Sequence, residues 1–126
     1  MIELKIIFAI LIIHWIADFV FQTDKMAKGK SKNWEDLLTH TGVYSFIIGI
    51  FSLFILPHNT INFEVYDSGI FMIITFISHT ITDYFTSRLN SKLWTEGKVH
   101  YFFVSIGFDQ ILHYIQLFLT YYFLVK

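Results

Sequence analysis

The apolar positions along the chain fall into four long stretches that are separated by short polar segments. A helix that crosses the hydrocarbon core of a bilayer needs about 20 consecutive, mostly apolar residues. Each stretch is long enough, so the pattern predicts four transmembrane helices, at residues 2–21, 37–56, 68–87 and 101–125. We therefore expect an all-α protein, a four-helix transmembrane bundle, with residues 1–126 in a single integral membrane domain.

The three polar connections differ in their basic residues, and this difference predicts an orientation. Residues 22–36 contain four lysines and residues 88–100 contain one arginine and two lysines, whereas residues 57–67 contain no lysine or arginine. Short loops that are rich in Lys and Arg remain on the cytoplasmic side of a membrane. We expect the first and third connections to be cytoplasmic, and the middle connection and both termini to lie outside.

The composition agrees with a membrane protein and excludes several functions. Hydrophobic residues make up 55% of the chain and charged residues only 15%, whereas a soluble domain has about 25% charged residues. The net charge of −1 gives no basic surface for nucleic acid. Because the chain has no cysteine, disulfides, thiolate ligands and cysteine nucleophiles are excluded.

A short motif, HxxxD followed by an aromatic residue, occurs twice. It lies at His14–Asp18 in the first predicted helix and at His79–Asp83 in the third, and the helix after each carries a further histidine, His40 or His113. This repeat predicts that the bundle consists of two pseudo-symmetric helical hairpins.

Polar residues inside the predicted helices recur at helical spacing. Residues four positions apart share one face of a helix, so these polar residues form one stripe on each helix. The stripes are His14, Asp18 and Gln22; His40 and Tyr44; Thr75, His79 and Asp83; and Asp109, Gln110, His113, Gln116 and Thr120. At a rise of about 1.5 Å per residue, the His and Asp side chains reach similar depths in the cytoplasmic half of the bilayer. We expect the following side chains to converge, with His40 close by: His14, Asp18, His79, Asp83, Asp109 and His113.

Three carboxylates inside a bilayer need compensation, because each costs about 2.5–3.5 kcal/mol at the centre of a helix. No Lys or Arg lies within the predicted helices away from their ends, so the sequence predicts no salt bridge for them. A divalent metal ion that accepts imidazole and carboxylate ligands, such as Zn, Mn or Fe, would provide the missing positive charge. One or two ions fit the predicted ligands, which are His14, Asp18, His40, His79, Asp83, Asp109 and His113, with Gln22 and Gln110 as hydrogen-bond partners of the ligands.

Two other interpretations of the cluster stay open. Chains of Asp and His also form proton or ion relays without a fixed metal. A third interpretation is a hydrogen-bond network that only stabilises the bundle.

Several segments resemble one bacterial membrane-protein family, which is known as domain of unknown function 3307. They are HWIADFVFQTDKMAKGK at residues 14–30, a histidine early in the second helix at His40, HTITDY at 79–84 and FDQILH at 108–113. The resemblance covers essentially the whole chain and implies the inner membrane of a bacterium. It supports the polar site but implies no reaction.

One position departs from the family pattern. The family has a lysine shortly after the second HxxxD motif, whereas this chain has Thr86 and Ser87 there, followed by Arg88. A looser likeness relates the HxxxD helices to small membrane-bound metal-dependent hydrolases.

These observations give three functional hypotheses. The first is a metal-dependent hydrolase of a lipid or an amphipathic phosphoester, with His40 as ligand or general base and Tyr44 as proton donor. The second is a metal-ion or proton transporter, because Gln116 and Thr120 extend the stripe of the fourth helix toward the outer face. The third is a non-catalytic membrane component. The expected partner is membrane lipid, and a homo-oligomer is left open.

Overall fold

The protein is described here by a computed structural model, which covers residues 2–56 and 61–125 and the side chains of all of these except 61–64. Within these residues the regular secondary structure is helical, which confirms the all-α prediction. There are five helices rather than four: α1 (Leu4–Trp15), which continues into a π-helical turn (Ile16–Val20), α2 (Asp24–Gly29), α3 (Trp34–Ile55), α4 (Ile61–Thr95) and α5 (Val99–Leu124).

Three of these helices are long and apolar enough to cross a membrane, by length and composition. They are α3, the part of α4 from Val65 to Thr95, and α5. The first predicted span is divided into the 12 residues of α1 and the 5 residues of the π turn, so α1 as a fourth span stays a prediction. Large apolar side chains are exposed around the perimeter, among them Phe54, Phe85 and Phe123. This surface is consistent with a membrane protein.

The largest difference from the predicted bounds is in α4. Residues 61–67, predicted as part of a loop, are the first turns of α4, and Asp67 is buried there. Residues 88–95, also predicted as a loop, continue the same helix. With 35 residues and about 1.5 Å per residue, α4 is longer than the hydrocarbon core of a bilayer, which is about 30 Å thick. Residues 57–60 of the predicted middle connection lie outside the described residues.

The turn between α4 and α5 is short and depends on Gly97. This residue has φ of +70°, which L side chains rarely adopt. The Gly97 N–H donates to the carbonyl of Trp94 at 3.0 Å, and the Lys98 N–H donates to that of Leu93 at 2.9 Å. The last carbonyls of α4 are thereby satisfied, as at a helix end that a glycine terminates.

The first predicted connection contains α2, which is fixed against the start of α3. Thr23 accepts a hydrogen bond from the Met26 N–H at 3.2 Å, and Asn33 accepts one from the Asp36 N–H at 2.8 Å, so both helices have side-chain caps. Gly29 packs directly on Asp36, and a Cβ at position 29 would overlap the carboxylate. This close approach brings the next residue of the chain, Lys30, against the bundle.

The long helices surround a core that is apolar at one end and polar at the other. α3 packs on α4, α4 packs on α5, and α1 packs on both α3 and α5. The most extensive packing is between α3 and α4 and between α4 and α5, and α1 contacts α3 and α5 to a similar extent, so the two-hairpin interpretation stays a prediction. The apolar end contains Ile10, Ile48, Phe71, Leu117 and Tyr121. The polar end lies near the π turn and contains the predicted His and Asp residues.

Candidate metal centre

The structure brings together the seven His and Asp residues that the stripes predict. None of these side chains is more than slightly exposed: His14, Asp18, His40, His79, Asp83, Asp109 and His113. Four helical segments contribute to the cluster, and six of its seven members fall into two groups that share Asp18.

The first group consists of Asp18, His40, His79 and Asp83, and each offers one ligand atom within 4.8 Å of the others. His40 Nε2 lies 3.1 Å from Asp18 Oδ1, 3.2 Å from Asp83 Oδ2 and 3.2 Å from His79 Nε2. His79 Nε2 lies 3.6 Å from Asp18 Oδ1 and 3.8 Å from Asp83 Oδ1. This group could hold a metal ion.

Two features of the first group fit a metal ion. A tetrahedral ion with bonds of about 2.0–2.1 Å holds its ligand atoms about 3.3 Å apart, and the three distances from His40 Nε2, 3.1, 3.2 and 3.2 Å, lie close to this value. In addition, Asp18 Oδ1 is buried and accepts no hydrogen bond from the described residues, although His40 Nε2 lies 3.1 Å away. A buried carboxylate oxygen without a donor is costly, and a cation at this position would satisfy it.

The second group consists of Asp18, Asp109 and His113. His113 Nε2 lies 3.3 Å from Asp109 Oδ1 and 3.1 Å from Asp83 Oδ1, so it connects the two groups. Its Nδ1 atom lies 3.0 Å from Nδ1 of His79. Asp109 also accepts a hydrogen bond of 2.6 Å from Thr86.

His14 lies in the cluster but belongs to neither group. Gln110 donates from Nε2 to Asp18 and Asp109, both at 3.2 Å, so its Oε1 faces His14 Nε2 at 2.7 Å and accepts from it. With the ring proton on Nε2, His14 Nδ1 accepts from the Tyr44 hydroxyl at 2.6 Å. Both ring nitrogens of His14 are thus engaged, and its predicted role as a ligand stays untested.

The two predicted glutamine partners differ. Gln110 makes the contacts that the prediction requires, because it joins two carboxylates to His14. The Gln22 Oε1 atom is buried and has no hydrogen-bond partner among the described residues.

His40 and Tyr44, the predicted catalytic residues, are both fully buried in α3. The Tyr44 ring stacks on the His79 ring with centroids 3.9 Å apart and planes at 7°. Since its hydroxyl donates to His14, Tyr44 holds two histidines of the cluster in place.

The expectation that no salt bridge reaches the carboxylates is wrong. Lys30 extends from the segment between α2 and α3, and its Nζ atom donates to Asp83 Oδ2 at 2.8 Å. Burial alone would lower the pKa of Lys30, but the carboxylates of Asp83 and Asp18 outweigh it and raise the pKa, so the ammonium keeps its charge. The lysines of residues 22–36 predict an orientation but no contact with the cluster, because a loop residue that folds back into a bundle leaves no periodic signal in the sequence.

Arg88, the other basic residue near the second motif, takes no part in the cluster. Its guanidinium lies over the Tyr84 ring at 3.7 Å and donates to the Tyr84 carbonyl at 2.8 Å. The Tyr84 ring also stacks with Trp34, with centroids 5.1 Å apart.

The π turn positions Asp18. The Phe21 N–H donates to the carbonyl of Ile16, five residues earlier, at 3.0 Å, and this bond widens the helix at the carboxylate. Such turns often lie at functional sites. The sequence contains no Pro or Gly in residues 14–22 that would have indicated it.

A cavity of about 760 Å³ adjoins the cluster on the side of the first and third connections. Its wall includes Asp18, Asp109, Gln22, Gln110 and Lys30 from the polar end of the core. The rest of the wall is of two kinds, hydrophilic and apolar. The hydrophilic residues include Lys28, Ser31, Lys32, Ser87, Asn90 and Ser91, and the apolar residues include Phe19, Trp94, Phe102, Phe103 and Ile106.

The comparisons with known proteins agree with the resemblance seen in the motifs. Comparisons with curated proteins and with solved structures find no match. The model of one family, described as "Protein of unknown function (DUF3307)", matches residues 6–126, which include the whole cluster. The chain therefore belongs to the DUF3307 family.

Proposed function

We propose that the protein is a membrane-embedded, metal-dependent hydrolase that acts on a lipid or another amphipathic phosphoester. One observation carries this proposal: the wall of a single cavity contains the carboxylates of Asp18 and Asp109, several lysines and several aromatic side chains. An anionic phosphate with an apolar tail matches all three parts of such a wall. The cavity volume of about 760 Å³ lies within the usual range for small-molecule sites, about 300–1,000 Å³.

The first group of ligands, Asp18, His40, His79 and Asp83, is the proposed metal site, with Zn, Mn or Fe as the ion. The ion would polarise a phosphoryl oxygen and lower the pKa of a water molecule. Asp18 belongs both to this group and to the cavity wall, so it connects the metal site to the place where substrate would bind.

The remaining residues of the cavity would bind and orient the substrate. Lys28 and Lys32 are exposed and would attract the phosphate. Phe19 and Phe103 are both exposed on the perimeter of the bundle, so the apolar tail would enter from the lipid between the π turn and α5. Because an amphiphile is already concentrated in the bilayer, a lateral entrance suits such a substrate.

We further propose that α1 and the π turn form a fourth span and that the basic connections are cytoplasmic. The cavity would then open to the cytoplasmic leaflet. A cysteine introduced at Lys28 should react with a membrane-impermeant reagent only after the membrane is permeabilised. Labelling of this cysteine in intact cells would contradict the proposed orientation.

The activity test uses the purified full chain in nanodiscs, loaded with Zn, Mn or Fe. We expect phosphate release from a long-chain alkyl phosphate and much less from a short, soluble aryl phosphate. Chelation and Asp83→Asn should abolish the release, whereas Asp24→Asn, an exposed acidic residue outside the cavity, should leave it unchanged. A metal-loaded protein that cleaves no amphipathic phosphoester would contradict the hydrolase proposal.

A second candidate, transport of a metal ion or proton, has its own supporting observation. Beyond the cluster, Gln116 donates to Thr75 at 3.1 Å and to Thr120 at 3.0 Å, so polar groups continue along α4 and α5. The Gln116 Oε1 atom is buried without a hydrogen-bond partner among the described residues. Uptake of metal or protons into proteoliposomes, lost in Gln116→Leu, would favour this candidate over hydrolysis.

A further inference from the structure

Lys30 is the one cation that enters the polar end of the core among the described residues, and its position is built by several contacts. Gly29 packs on Asp36 without room for a Cβ, and the Lys30 carbonyl lies 3.5 Å from the Ser87 hydroxyl of α4. The side chain is 19% exposed, whereas that of Asp83, its partner, is 1% exposed. The neighbouring Lys28 and Lys32 are exposed.

The charge of the cluster depends on this residue. Asp18, Asp83 and Asp109 contribute three negative charges, and Lys30 contributes one positive charge, which leaves −2 with neutral histidines. One divalent ion would make the cluster neutral. Two ions would leave +2 in a buried site, and a buried excess charge is unfavourable.

The contacts of Asp83 show where Lys30 and a metal ion would compete for the same carboxylate. Its Oδ2 atom accepts from Lys30 at 2.8 Å and also lies 3.2 Å from His40 Nε2, inside the first group of ligands. Its Oδ1 atom lies 3.1 Å from His113 Nε2, which belongs to the second group. A cation bound in either group would therefore lie close to Asp83 and would repel the Lys30 ammonium, which binds the same carboxylate.

We propose that Lys30 is an internal cation that limits the resting centre to one divalent ion, although the ligands form two groups. This inference rests on the proposed metal site and adds the residue that sets its stoichiometry. The second group, which borders the cavity through Asp18 and Asp109, then stays free of metal until an anionic ligand brings further negative charge.

Metal-binding stoichiometry tests the proposal. The full chain in detergent would be titrated with Zn²⁺ or Mn²⁺ by calorimetry, and bound metal counted by elemental analysis. We expect one ion in the natural protein and two in Lys30→Gln, with the second ion bound about tenfold more tightly, or more, than by the natural protein. Lys92→Gln removes an exposed lysine outside the cluster, which pairs with Glu96 at 3.9 Å, and this variant should still bind one ion.

A charge-restoring variant separates charge from folding. Lys30→Gln combined with Asp109→Asn returns the cluster to −2, so it should fold even if the single variant does not. Because it also removes a ligand of the second group, it serves as the folding control and should bind one ion at the first group. Lys30→Arg keeps the charge and should also bind one. If the natural protein and Lys30→Gln both bind one ion with equal affinity, the Lys30 proposal is wrong and the metal site stands. If the natural protein binds no ion, the proposed metal site itself is wrong.

Discussion

The two HxxxD segments have the same spacing but different surroundings. In α4, His79 and Asp83 lie on a regular α-helix, and both side chains join the first group of ligands. In the first segment, His14 lies in the last turn of α1 while Asp18 lies in the π turn, and only Asp18 joins a group. The distance from the histidine Nε2 atom to a carboxylate oxygen is nearly equal in the two motifs. It is 3.9 Å from His14 to Asp18 and 3.8 Å from His79 to Asp83.

The difference arises from the neighbours of each histidine. His14 is held by Tyr44 and Gln110 through both ring nitrogens. His79 has other histidines at its two nitrogens, His40 at 3.2 Å and His113 at 3.0 Å. A metal ion can replace contacts between imidazoles, whereas it would have to break two well-formed hydrogen bonds to recruit His14. Equal spacing in a motif therefore does not establish equal roles.

The largest expected effect separates the two histidines. His79→Gln should weaken metal binding about 100-fold, because a four-ligand site divides about 10–16 kcal/mol among its ligands. His14→Gln should weaken it less than about tenfold, since His14 acts on Asp18 through Gln110. Both affinities can be measured by competition with a metal-binding dye. Equal losses in the two variants would show that His14 is also a ligand.

A smaller effect concerns the carboxylate of the α4 motif. A metal that binds only the folded protein raises its stability by about 2.7 kcal/mol at 100 times the dissociation constant. Chelation should therefore lower the thermal midpoint of the natural protein in detergent, and so should acidification, because protons compete with the metal for its histidine and aspartate ligands. In Asp83→Asn the response to chelation should largely disappear.

The matched control for this experiment is Asp24→Asn. Asp67, which the sequence placed in a loop, is buried in α4 and does not serve as a control. Asp24 is exposed at the start of α2. A midpoint that is unchanged after complete removal of metal would favour the relay or the hydrogen-bond network.

The smallest effect tests the polar contacts of the first motif. Tyr44→Phe removes the donor to His14 Nδ1 and leaves a buried acceptor unpaired. The free energy of unfolding should fall by about 1–3 kcal/mol, with little change in metal affinity. Tyr101→Phe, at an exposed position, should change neither quantity. A loss of metal affinity equal to that of His79→Gln would assign Tyr44 to the metal site itself.

Much of the fold could be predicted because helix formation in an apolar chain depends on local pattern. Runs of apolar residues indicated α3, α4 and α5, and a period of four residues identified the buried polar faces. The ends of α4 were misplaced because polar residues such as Asp67 and Arg88 suggested loops. In the structure the first is buried by packing, and the second is retained in the helix by its contacts with Tyr84.

The sequence by itself determined that this protein is helical, apolar on its perimeter and provided with four histidines and three aspartates on inward faces. Only the tertiary structure decided how these residues divide their roles. The widened turn at Asp18, the hydrogen bonds that occupy His14 and the ammonium of Lys30 at Asp83 all depend on contacts between residues far apart in the chain. Helical periodicity specifies which face of a helix a side chain occupies, but the partner on that face is set by how the helices and loops pack.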